Sequence, residues 1–197
     1  MRDSKPGQCL NEQQLATLHA RFIVPIAVQM ILNDSEQLDD ACEAALHQSL
    51  SDLDPDTGLL CLALCAQHIA AAARPTPITK MLALSSARIA DEYGIALLAE
   101  HTHSQKRLSD HEALTLLQQV PEDLEELATL MDAVLAQSGP HSPEGLLCDI
   151  LSIQAMVHAE RAEHELAELT FLKQQKRVKP AAPKLEYLAE NVIVFPR

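Results

Sequence analysis

The chain of 197 residues is 47% hydrophobic, with a mean hydropathy of −0.03. That is enough apolar content to close one core, because single domains typically run to about 100–200 residues. Aromatic residues make up 3% and tryptophan is absent, which leaves little to build base-stacking platforms or aromatic ligand pockets and predicts an aliphatic core. The net charge of −13 is unevenly divided: residues 1–172 hold 9 Lys/Arg against 26 Asp/Glu, net −17, and residues 173–197 hold 6 against 2, net +4. An anionic body repels phosphate backbones, so direct nucleic-acid binding is not expected and a cationic protein partner is.

Apolar residues recur at three- and four-residue intervals, the helical period, and predict an all-α fold: a bundle of six to seven helices over residues 1–177, followed by a proline-containing linker and extended arm over 178–197. A first helix runs from about Asn11 through Leu15, Leu18, Phe22 and Ile26 to Leu32, with a kink near Val24 because Pro25 removes a donor. Asn33-Asp34-Ser35 supplies side-chain oxygens to cap a second helix whose inward stripe is Leu38, Ala41, Cys42, Ala45 and Leu46, ending near Leu50. Beyond the turn SDLDPDTG, the segment from Gly58 to Arg74 has no charge between its ends and is expected to be the most buried helix.

Thr76-Pro77 reads as an N-cap with proline at the first helical position, opening a helix to about Glu100. HTHSQKRLS is expected to be a loop, Ser109 to Glu112 a capping box before a short helix to Gln119, and Pro121 the start of another to about Gln137. SGPHSP is the clearest break. Ser142-Pro143 then opens a last helix to about Arg177, which at 1.5 Å per residue would span about 52 Å. Its second half keeps a narrow stripe of Ala155, Ala159, Ala162, Leu166 and Leu169 between charged flanks. Such a stripe suits either the chain's own bundle or close approach by a partner or a second copy.

No run of about 18 uncharged apolar residues occurs, and MRDSKPGQ has no apolar signal region, so a cytoplasmic protein is expected. The odd number of cysteines, Cys9, Cys42, Cys61, Cys65 and Cys148, fits buried thiols in a reducing compartment. Cys61, Cys65 and His68 share one helical face and form a candidate zinc or copper site, with Cys148 or His158 able to add a ligand; the competing reading is a core helix with cysteine as a small hydrophobe. His101, His103 and His111 beside Lys106 and Arg107 make the one basic patch of the body, to which no role is assigned.

The densest acid and imidazole cluster is His158, Glu160, Glu163, His164, Glu165 and Glu168, which reads mainly as a solvated face. Within it the spacing Glu160-x-x-Glu163, with Glu122-x-x-Glu125 upstream, resembles the magnesium-holding glutamates of the all-α nucleotide pyrophosphohydrolases, and that resemblance implies a magnesium-dependent enzyme as an alternative. The family's second, aspartate-containing motif has no counterpart at the corresponding place. Neither a G-x-S-x-G elbow nor a Gly-rich phosphate loop is present, so no catalytic residue is assigned.

The chain closes on ENVIVFPR, where Val192, Ile193, Val194 and Phe195 are β-prone and Pro196 stops the ladder. A single strand must lie in a groove of its own bundle, pair with a second copy, or add to the sheet edge of a partner. The reading that follows is a non-enzymatic, acidic regulator, adaptor or inhibitor, of bacterial or phage character, which binds a protein with a cationic surface or open sheet edge, such as a nucleic-acid-handling enzyme. Its contact residues would be Val192–Phe195 and the stripe on the last helix.

Overall fold

The computed structural model describes residues 22–34, 38–101 and 110–177. They form α1 (Val24–Asn33), α2 (Asp40–Ser51), α3 (Pro55–Ala72), α4 (Pro77–His101), α5 (Asp110–Ser138) and α6 (Pro143–Arg177), with no β-strand among the described residues. The all-α expectation and the long last helix both stand. The arm at 178–197, the strand Val192–Phe195 within it, and the loop at 102–109 lie outside the described residues.

Capping chemistry explains the starts of α2, α4 and α6. At the start of α4, the amide of Thr79 donates to Thr76 Oγ1 at 3.2 Å and the amide of Thr76 donates to Thr79 Oγ1 at 2.8 Å, a capping box in which threonine replaces glutamate. Ser142 Oγ accepts from the amide of Gly145 at 3.0 Å to start α6. The turn before it needs glycine at 139, where φ is +85°. The second helix starts later than its sequence suggests: Asp39 is its cap, accepting from the amide of Cys42 at 2.8 Å, not the group at 33–35.

Near Val24, where a kink is expected, a π-type turn at 22–23 passes into α1 with Pro25 in its first turn, and the helix expected from Asn11 to residue 21 lies outside the described residues. A second proline departs from expectation. Pro121 does not begin a helix but lies inside α5, where it cannot donate to the carbonyl of Leu117. Its ring is buried, so packing of the flanking Val120, Leu124 and Leu127 holds the helix through a position that propensity alone would break.

The central helix is α3, which touches every other described helix; all residues from Thr57 to Ala63 are buried. It forms a hairpin with α4, α5 forms the most extensive pair with α6, and α1 lies across α3. The inward stripe of α1 is Val24, Val28 and Ile31, at most 2% exposed, while Phe22 and Ile26 are more than half exposed. Both faces of this segment are apolar, so periodicity could not choose between them.

Three side chains of α6, spaced at i, i+4 and i+7, fasten it to the C-terminal end of α2. Gln154 Oε1 accepts from Ser51 Oγ at 3.1 Å and its Nε2 lies 2.8 Å from His47 Nδ1. His158 Nε2 lies 3.0 Å from the carbonyl of Leu50, to which it donates. Arg161 Nη1 donates to the carbonyls of Ser51 and Leu53, each at 3.0 Å. A cation at a helix C-terminus also opposes the negative end of the dipole. The His158 ring is fully buried and lies face-on to Gly58 of α3, where an added Cβ would stand 2.7 Å from Nε2. Burial, partly offset by the bond to Leu50, pushes the His158 pKa below its ordinary 6.5 and keeps the ring neutral.

Gly58→Ala should therefore destabilise the protein by about 1–3 kcal/mol, the usual cost of overpacking. In a His158→Ala background the same change should be neutral or stabilising by up to about 1 kcal/mol, because alanine is the better helix former. Urea unfolding of the four proteins in this cycle measures both.

The pH dependence has a definite sign. His158 binds its proton less readily folded than unfolded, so its contribution is complete above 6.5 and is lost as pH falls below that value toward the depressed folded pKa. Unfolding free energy measured between pH 7.5 and pH 5 should fall more steeply in the wild type than in His158→Asn.

Candidate functional site

Where α6 continues past its fastening to α2, it meets the start of α3 and the first half of α5 along a groove of about 230 Å³. The walls are Asp54, which precedes α3, Pro55 and Asp56 from α3, Leu117 and Val120 from α5, and Ala162, Glu165, Leu166 and Leu169 from α6. Its floor is aliphatic and its rim is carboxylate. Asp56 takes the amide of Thr57 on Oδ1 at 2.7 Å, yet burial pushes its pKa up, with neighbouring Asp54 adding to the shift. At and beyond the end of the groove, Leu169, Phe171 and Leu172 of α6 are 41%, 60% and 52% exposed.

The stripe expected to meet a partner is thus divided. Ala155, Ala159 and Ala162 are buried, at 0%, 3% and 5% exposure, within the chain's own core; their small size serves close packing inside the bundle, the first of the two readings of the stripe, so they are not open to a partner. Leu166 is half-buried and Leu169 exposed, and these two, with Ala162 at the edge, border the groove.

Cys61 and Cys65 are fully buried core residues of α3, and His68 is half-buried one to two turns further on. A hydrogen bond to Cys61, then burial, raises the Cys65 thiol well above its ordinary range, and burial pushes Cys148 up to about 12. His158, named as a further ligand, commits Nε2 to Leu50, while Nδ1 is buried without a partner. Glu122, Glu125, Glu160 and Glu163 are all exposed. Among the described residues no three His, Cys, Asp or Glu side chains converge as a metal cradle, and no helix is long and apolar enough to cross a membrane.

One buried polar cluster had no signal in the sequence. Asp123 of α5 receives Arg88 Nη2 on Oδ1 at 2.7 Å and lies 3.0 Å from the Tyr93 hydroxyl through Oδ2; that hydroxyl is also 3.2 Å from the carbonyl of Leu116. Arg88 further meets Glu126 at 3.0 Å and Glu92 at 3.2 Å. Burial and then the Asp123 charge push the Tyr93 pKa up, so the phenol stays protonated as a donor. The cluster joins α4 to α5. A second, larger cavity of about 620 Å³ between the α3–α4 and α5–α6 turns is polar, but its Thr76, Thr79 and Ser142 hydroxyls are occupied in capping.

Comparison with protein-family models, with curated proteins and with solved structures finds no match for this chain.

The thiol placements have a direct chemical readout. In a Cys9→Ser background, half-buried Cys42 should react promptly with Ellman's reagent, and Cys61, Cys65 and Cys148 only once denaturant opens the core. Prompt reaction of more than one thiol per chain would contradict this packing.

Proposed function

We propose that the protein is a non-enzymatic binding module, a regulator or adaptor that holds an apolar segment flanked by basic residues from a partner protein in the groove between α3, α5 and α6. The observation that carries this reading is the pairing of leucines with carboxylates: half-buried Leu166 and exposed Leu169 lie beside Asp54, Asp56 and Glu165. Leucine side chains covered by a partner supply affinity in proportion to the area they lose to water. Carboxylates around them repel acidic segments and hasten encounter with basic ones, an effect reinforced by the net charge of −13. Proteins that handle nucleic acid carry the cationic surface such a charge would seek, and form the first partner class to examine.

The polar side chains with the geometry for chemistry support the same reading, since they are engaged in holding helices together. Gln154, His158 and Arg161 serve the end of α2, and Arg88, Tyr93 and Asp123 join α4 to α5.

The test compares proteins captured from lysate by the wild type and by Leu166→Glu/Leu169→Glu, with helical content checked by circular dichroism. The double variant should lose a specific captured protein, and affinity for that protein should fall by at least about tenfold, or 1.4 kcal/mol. Asp54→Lys/Glu165→Lys should slow association and flatten its dependence on salt. An identical captured set from wild type and groove variant would retire the proposal.

A further inference from the structure

Resting on that reading of the groove, we propose that its resident occupant is the chain's own C-terminal segment, residues 184–197, turned back along α6, so that a partner gains the groove by displacing it. Charge is the first argument. The chain leading to the segment, residues 173–183, carries 4 Lys/Arg and no Asp/Glu, and the segment itself, net zero, opens on Lys184 and ends on Arg197 with Glu186 and Glu190 between them, in a chain whose first 172 residues carry net −17. The rim of Asp54, Asp56 and Glu165 presents carboxylates to whatever enters. Arg161, on α6 just before Ala162, is directed onto the carbonyls of Ser51 and Leu53.

The second argument is apolar matching. The segment holds Leu185, Leu188 and the run Val192 to Phe195, and the groove offers Leu117, Val120, Leu166 and Leu169. Leu172, one turn beyond Leu169 on α6, is also exposed.

Length is the third. From Arg177 back to Leu169 is eight residues, about 12 Å of helix, and back to Ala162 is fifteen, about 22 Å. The fourteen residues from 178 to 191 can span up to about 46 Å when extended, so Val192 can reach any part of the groove. Such an occupant would be held at high effective concentration by its own connection, and a foreign segment must compete with it.

The test adds a fluorescent peptide of sequence 184–197 to full-length wild type and to full-length Val194→Asp/Phe195→Asp. The peptide should bind the tail variant at least about tenfold more tightly than the wild type, and adding Leu166→Glu to the variant should remove that binding. Equal, tight binding to both proteins would overturn self-occupancy while leaving the groove as a peptide site. Binding to neither protein, or binding indifferent to Leu166→Glu, would also overturn it, and the groove's own role is then decided separately by partner capture with Leu166→Glu/Leu169→Glu. If the wild type sediments as a dimer and the tail variant as a monomer, the segment belongs in the groove of a second copy and occupancy within one chain is overturned.

Discussion

The described structure depends on one close approach, the imidazole of His158 laid against Gly58 with its Nε2 on the carbonyl of Leu50. Three helices meet there, and each contributes something the others need. The missing side chain at 58 lets α3 and α6 come together, the ring fills the space, and the Leu50 carbonyl at the end of α2 gains a donor in a place water does not reach. Arg161, three residues further on, completes the hold by satisfying Ser51 and Leu53. The groove follows directly from this arrangement. Ala162 and Glu165 lie within the next turn of α6, and Asp54 to Asp56 form the start of α3 just before Gly58, so the same contact that closes the core sets the groove's two walls at a fixed separation.

The charged residues fall into two populations. Arg88, Asp123 and Arg161 are used between helices, where partial burial and several partners give their geometry value beyond that of a lone surface pair, which is typically worth about 0–1 kcal/mol. The other carboxylates, Asp54 and Glu165 on the groove rim among them, contribute to the field set by the net charge of −13. The acidity of the chain is therefore an expense in self-repulsion that folding alone does not require, and binding a cationic segment is where it would be offset.

Local chemistry was legible in the sequence and tertiary placement was not. The caps at Thr76 and Ser142, the uncharged run after Gly58 and the length of α6 were readable because each depends on residues within a few positions of one another. Pro121 misled because its local cost of about 3 kcal/mol is real, and only the burial of the surrounding α5 residues outweighs it. The stripe on α6 could be seen, but not that its alanines were covered and its leucines left open, since that depends on α3 and α5. His158 was grouped with the acidic face by proximity in sequence; its true neighbours, Leu50 and Gly58, lie about a hundred residues away along the chain.

Asp56 indicates how the groove would choose its occupant. Its carboxylate is already disfavoured by burial, and a purely apolar segment settling over it would remove more water and raise that cost, since a buried charge without a partner is expensive. A segment that brings a lysine or arginine reverses the sign of the effect, because the new cation stabilises Asp56 and Asp54 together. Leucines alone would accept almost any apolar chain of suitable size. On the proposed binding role, the half-buried carboxylate would restrict them to those carrying positive charge, so affinity would come from the floor of the groove and selectivity from its rim.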